Sequence, residues 1–287
     1  MISIEEFILA SVQMRISSYS KEENLKKALN MIERASKYGA KLVVFPEYFL
    51  TECPSRKKTL DELKKIGEPI PGGASIEAMC NKAKELGLYV VAGTIIEVEG
   101  DKVYNTSTLI SPEGEVIGKQ RKTHPENHSS KHEVGLGISP SNNLEVFDTE
   151  LGKIGILIDV DANVPEIPRI YALKGAEIIC WPLNWSVRWA YLVPAITSTY
   201  AYVTQCYFAA SNRAGLREEQ VGPYPLYYMG PSLIANPEGE IIGYVSGFYE
   251  GIAYAEVSKE TLRRIREYNK DTYPLWRRPE VFKEVIK

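Results

Sequence analysis

Residues 153–166 read Lys153-Ile154-Gly155-Ile156-Leu157-Ile158-Asp159-Val160-Asp161-Ala162-Asn163-Val164-Pro165-Glu166. After Lys153 the run Ile154–Ile158 is apolar and rich in β-branched isoleucine, which predicts a buried strand. That strand must break at Asp159. Pro165, with its fixed φ and missing N–H, then opens a helix at a favoured first-turn position. Such strand-to-helix turns are where α/β enzymes often present a nucleophile. Two further stretches end in the same manner. Lys41-Leu42-Val43-Val44-Phe45-Pro46-Glu47 predicts a buried strand closing on a carboxylate, and Gly118-Lys119-Gln120-Arg121-Lys122-Thr123-His124 ends a strand on a basic cluster.

Working outward, Ser20 followed by Glu23 predicts a capping box ahead of a helix with Leu25, Ala28, Leu29 and Ile32 on its apolar face. A second helix is expected over Ser75–Leu86, with Ile76, Met79, Cys80 and Ala83 on one stripe and Gly87 as its stop. Leu88–Glu97 predicts one strand. Val103–Ile110 and Val116–Gln120 predict a hairpin about Pro112-Glu113-Gly114. The second half repeats this plan. Gly175-Ala176-Glu177-Ile178-Ile179-Cys180-Trp181-Pro182 matches residues 39–46, and Asn236-Pro237-Glu238-Gly239-Glu240-Ile241-Ile242-Gly243 matches residues 111–118. Two halves with one helix–strand–hairpin order predict an α/β fold, a four-layer α-β-β-α sandwich of two similar mixed sheets with helices outside. No linker divides residues 1–287, so a single domain is expected.

The chain's 287 residues are 44% hydrophobic and 25% charged, which suits one globular domain with a substantial core. A formal net charge of −3 and the lack of a basic helix argue against nucleic acid as a partner. No apolar run approaches the ~20 residues of a membrane span. The acidic N-terminus lacks a signal-peptide layout, so a cytoplasmic location is expected and no membrane partner. Cys53, Cys80, Cys180 and Cys206 show no metal or redox spacing. Cys80 and Cys180 are expected to be buried thiols. His124, His128 and His132 are irregularly placed, and neither a metal nor a cofactor is expected.

These motifs together resemble the nitrilase superfamily of carbon–nitrogen hydrolases, which pairs a Glu after Phe-Pro, a Lys in a basic run and a Cys in an Ile-Cys-Tyr-Asp run. Glu47 and Lys122 fall on the first two. At the third, Asp159 stands in the Cys position, Val160 replaces the Tyr and Val164 a Phe, while Asp161, Pro165 and Glu166 match. The resemblance spans nearly the whole chain, from Ala10-Ser11-Val12-Gln13-Met14 through Gly39-Ala40 and Asn212-Arg213-Ala214-Gly215 to Arg277-Arg278-Pro279. It departs again at Val203–Phe208, which lacks an expected Glu.

The resemblance implies the same fold, Glu47 as general base, Lys122 as cationic stabiliser, and a further pocket acid, Glu133 or alternatively Glu126. It implies hydrolysis of a carbon–nitrogen bond other than a peptide bond, in a small amide, nitrile or N-carbamoyl compound. Asp159 is a poor substitute for a thiolate: carboxylate attack on an amide would give an anhydride. Impaired or absent activity is therefore expected, with water-based hydrolysis using Asp159 or Glu47 as base the residual route. The alternative is a non-catalytic subunit that binds a small molecule or a partner through the same pocket. Cys53 is not expected to replace the nucleophile, since no strand–helix turn presents it. Asp161, Pro165 and Glu166 are expected to be structural.

Rim loops are expected over residues 51–67, 125–143 and 184–190, with Trp185, Trp189 and Tyr191 as an apolar wall. Family members commonly pair through outer helices. A homodimer or larger homo-oligomer is therefore expected, with Tyr191, Tyr200, Tyr202 and Tyr207 on the covered face and the tail from about residue 260 packing on the partner subunit.

Overall fold

Three apolar layers separate the elements of the computed structural model, which describes residues 4–18, 20–54, 58–127, 133–217, 225–270 and 278–284. The strands are β1 (Glu6–Arg15), β2 (Ala40–Val44), β3 (Tyr89–Val91), β4 (Ile95–Glu99), β5 (Lys102–Ile110), β6 (Val116–Arg121), β7 (Val146–Thr149), β8 (Gly152–Ile156), β9 (Ile178–Pro182), β10 (Tyr207–Ser211), β11 (Arg213–Leu216), β12 (Tyr227–Met229), β13 (Ser232–Ala235), β14 (Ile241–Val245) and β15 (Gly251–Ser258). The α-helices are α1 (Lys21–Lys37), α2 (Leu60–Ile66), α3 (Ala74–Leu86), α4 (Glu166–Leu173), α5 (Leu192–Thr204) and α6 (Lys259–Tyr268).

One mixed sheet runs β12-β11-β1-β2-β3-β5-β4, with β15 also on β1 and β6 also on β5. The other runs β14-β13-β10-β9-β8-β7. Strand periodicity assigns each side chain to a layer. In β2, Leu42 and Val44 enter the core between the sheets, while Val43 packs outward against Ala28, Met31 and Ile76 of α1 and α3. In β9, Ile178 and Cys180 face the inter-sheet core, while Ile179 and Trp181 meet Ile167 and Val193 of α4 and α5. The result is the four-layer α-β-β-α sandwich.

The two expected repeats fold alike. At one hairpin, Gly114 N–H donates to Ser111 O and Ser111 N–H to Glu115 O; at the other, Gly239 and Asn236 repeat both bonds. Each turn carries its glycine at positive φ, 80° and 84°, where a side chain would be strained.

Four expectations need correction. The Leu88–Glu97 strand is two strands, β3 and β4, because Gly93 turns at φ 34° and a Cβ there would lie 2.1 Å from Pro46 O. The capping box at Ser20 does not form: its hydroxyl meets the Glu23 carboxylate at 3.2 Å and caps no backbone N–H. A capping box does form at Thr59 and Glu62, which start α2 inside the expected rim loop. Tyr207 is buried in β10, and its hydroxyl bonds the Ser258 backbone, so it cannot cover an interface.

The beginning of the tail packs on its own chain. Leu262 of α6 joins the inter-sheet core, and Arg266 donates to the carbonyls of Ala176 and Gln205. Arg277 lies outside the described residues. No helix among the described residues is long and apolar enough to cross a membrane.

Candidate active site

Both sheets present their strand ends to one cluster. After β2, the chain passes Phe45-Pro46 to Glu47, whose N–H reaches across to Leu183 O beyond β9 at 3.3 Å. Tyr48 then adopts φ 51°, anchored by its N–H on Thr94 Oγ1 at 2.9 Å. Ser11 and Ser211 stitch the sheets nearby, donating to Ala210 O at 2.6 Å and Val12 O at 2.5 Å. Those bonds allow hydroxyls within an otherwise apolar layer.

The basic cluster ending β6 divides by face. Lys119 and Arg121 lie toward Glu97, at 2.6 and 2.8 Å, and Arg121 covers the Tyr104 ring. Lys122 turns inward, held by its N–H on Asn105 O at 2.8 Å. Its Nζ lies 2.9 Å from Glu47 Oε1, 2.8 Å from Glu133 Oε2 and 3.1 Å from Asp159 Oδ2. Glu47, Lys122, Glu133 and Asp159 are 1%, 1%, 2% and 5% exposed, so water screens little of this charge.

Asp159 follows β8 and begins a 3-10 turn at φ 47°, the left-handed region that a non-glycine residue rarely occupies. Trp181 Nε1 donates to its carbonyl at 2.9 Å, and Asn184 N–H to its Oδ1 at 3.2 Å. Pro165 caps the following helix, which begins at Glu166. Asp161 ties the turn to the end of β6, accepting from Thr123 Oγ1 and His124 N–H, each at 2.8 Å. Those contacts make Asp161 structural.

Glu133, not Glu126, meets Lys122. Glu126 contributes its backbone N–H, 2.6 Å from Glu133 Oε2. The Tyr48 hydroxyl donates to Glu133 Oε1, and Asn105 Nδ2 donates to both Glu47 Oε1 at 2.7 Å and Glu133 Oε1 at 2.8 Å. Asn105, Tyr48 and Asn184 went unread in the sequence. An Asn inside the strand-forming run Val103–Ile110 was the available signal, because a buried amide must find partners.

The charges are strongly coupled. Burial, then the Asp159 charge, pushes the Glu47 carboxyl well above its ordinary range. Burial also raises Asp159. For Glu133, burial acts upward, but Lys122 and the hydrogen bonds outweigh it and hold the carboxyl low. Lys122 resists deprotonation: burial works against its charge, yet Glu133, Glu47 and Asp159 together raise it well above the ordinary lysine value.

Other expected residues fall outside the cluster. Trp185 packs edge-on against Trp181, centroids 5.3 Å apart, in the core beneath the helices. Trp189 and Tyr191 are exposed. Burial pushes the Cys53 thiol up, which disfavours a thiolate. His124 Nδ1 sits 3.0 Å from Asp161; His128 and His132 lie outside the described residues. Among the described residues, no three His, Cys, Asp or Glu side chains are grouped as metal ligands.

The sandwich thus gathers one buried polar cluster at the strand ends of its two sheets. In its overall course the chain matches Saccharomyces cerevisiae Nit3, a member of branch 10 of the nitrilase superfamily, with TM-score 0.80 and 29% identity over 97% of this chain and 98% of that one. It is 34% identical to a nitrilase of Pyrococcus abyssi, over 91% of this chain and 94% of the relative. It is 32% identical to omega-amidase NIT2-B of Xenopus laevis, over 91% and 92%. Residues 8–267 match the carbon-nitrogen hydrolase model, and the chain belongs to that family.

Proposed function

We propose that this chain is a carbon–nitrogen hydrolase scaffold for a small amide, nitrile or N-carbamoyl compound, impaired or silent in its present sequence because Asp159 stands where a thiol nucleophile belongs. Glu47 is the base, Lys122 the cationic stabiliser and Glu133 the acid that keeps Lys122 charged. The relatives' names, nitrilase and omega-amidase, put simple nitriles and ω-amides first among substrates.

One observation carries this reading. An ammonium has three N–H donors, and those of Lys122 face three carboxylates, Glu47, Glu133 and Asp159. Lys122 donates to Glu47 and Asp159 and pairs with Glu133, so its charge is already shared before any negative charge develops on a substrate oxygen or nitrogen. Asn184 N–H, a second donor beside the turn, is likewise taken by Asp159 Oδ1. A thiol at 159 would free both donors, remove a negative charge beside Glu47 and supply a polarizable nucleophile whose proton Glu47 can take.

The test is Asp159→Cys against a panel of amides, nitriles and N-carbamoyl compounds. Hydrolysis is expected to rise above that of the unmodified chain, and Lys122→Ala in the Asp159→Cys background to abolish the gain. Efficient turnover by the unmodified chain that Asp159→Ala stops would overturn the proposal and give Asp159 a catalytic role of its own. The alternative, a non-catalytic binding or partner subunit, draws support from the same saturation: the cluster is satisfied without a substrate. Panel compounds that bind the unmodified chain, with Asp159→Cys inert, would favour it.

A further inference from the structure

Asn105 contacts three members of the cluster at once. It is wholly buried in β5, its carbonyl accepts the Lys122 N–H at 2.8 Å, and its Nδ2 lies 2.7 and 2.8 Å from Glu47 Oε1 and Glu133 Oε1. In this amide orientation the nitrogen faces both carboxylate oxygens, and Asn105 Oδ1 is buried without a hydrogen-bond partner among the described residues. Both Nδ2 hydrogens are thereby committed. The Asn105 contact and the Lys122 contact of Glu47 both fall on Oε1, so Oε2 is the oxygen available to a reacting group.

We propose that Asn105 is a positioning residue: its two amide N–H groups hold Glu47 and Glu133 together against Lys122 and thereby favour the ionised form of both. Three carboxylates surround one ammonium, so two of them lack full compensation. A neutral double donor relieves that repulsion without adding a charge that would compete for Lys122. It also fixes the rotamer of Glu47, the group that must move a proton. The other titratable groups facing the pair are Lys122 and Asp159, the Tyr48 hydroxyl on Glu133, and Cys53 and Glu126 close by. Of these only Lys122 also reaches both carboxylates, and its charge is shared with Asp159. The consequence for turnover rests on the hydrolase reading; the proton distribution does not.

Titration of the full unmodified chain labelled with 13C at the glutamate side-chain carboxyls tests this without turnover. The Glu47 and Glu133 signals are identified with Glu47→Gln and Glu133→Gln. A hydrogen bond to the charged form favours that form, so Asn105→Ala is expected to move both titrations upward by roughly one pH unit. Asn105→Thr, which suits a strand and keeps one hydroxyl donor, is expected to give a smaller upward shift and guards against failure of the Ala variant to fold. Thr106→Val, which removes the neighbouring strand contact to Glu97, leaves both signals in place. Unchanged Glu47 and Glu133 titrations in either folded Asn105 variant overturn the proposal. An inert Asp159→Cys chain bears on the hydrolase reading instead, so the two failures are distinguishable.

Discussion

The Arg213 guanidinium and the Glu52 carboxylate pair directly, and neither side chain is exposed to solvent. Glu52 holds φ 73°, its other oxygen takes the Ser18 hydroxyl, and Arg213 lies 4.1 Å over the Tyr228 ring while reaching Ile16 O. The pair clamps the loop after Glu47 to β11, at the end of β1. It therefore supports the backbone that places Glu47. Removing Arg213 leaves the buried Glu52 with only the more distant Arg217, at 3.7 Å, to offset its charge. Arg213→Met is expected to cost about 3–5 kcal/mol in urea denaturation, and Arg213→Met with Glu52→Gln to cost less, because the second change removes a buried charge that has lost its nearer partner. Equal losses in the single and double variants would contradict a role for the pair's charge.

Lys122 is the only cation that the Glu47, Glu133 and Asp159 carboxylates contact among the described residues. Lys122→Met is expected to destabilise the chain by about 3–5 kcal/mol near neutral pH. Without the ammonium, each carboxyl favours its protonated form, so the deficit should shrink in mild acid. Guanidinium melts at about pH 5 and about pH 8 measure this, and a loss that is constant with pH would argue against it.

The two glutamates should shape pH stability in opposite directions. Glu47 is raised, so its contribution is fully present below the unfolded carboxyl value of about 4.3 and is lost as pH rises through the higher folded value. Glu133 is lowered, so its contribution is present above about 4.3 and lost as pH falls through the lower folded value. Glu47→Gln is expected to flatten the decline of Tm toward alkaline pH, and Glu133→Gln the decline toward acid. Calorimetric scans across pH separate the two slopes.

For self-association, we propose a homo-oligomer built on the outer helices around α5. Tyr191 and Tyr202 expose 70% and 52% of their surfaces there, and exposed tyrosines are residues that interfaces favour. Sedimentation velocity at micromolar concentration is expected to show a dimer or larger species, reduced by Tyr191→Lys with Tyr202→Lys. A monomer at every concentration would refute it.

Most of the layer architecture was legible because strand alternation and turn residues act over a few positions. Leu42, Val43 and Val44 alternate between two cores, and the paired Pro-Glu-Gly turns announce the same hairpin twice. Local reading failed where a neighbour distant in sequence intervened. Pro46 O crowds Gly93 and divides the Leu88–Glu97 strand, and Tyr207 looks like a surface aromatic until β10 closes between β9 and β13.

The sequence by itself determined which residues stand at strand ends: Glu47, Lys122 and Asp159 each follow a run whose pattern stops there. Only the tertiary structure decided how their charges are shared. That Glu133 rather than Glu126 meets Lys122, that Asn105 bridges two carboxylates, and that Asp159 takes an ammonium hydrogen all depend on distances of about 3 Å between segments far apart in the chain. Hydrophobic periodicity places a side chain on a face. Hydrogen-bond geometry, which discriminates over tenths of an ångström, is set only once both sheets have packed.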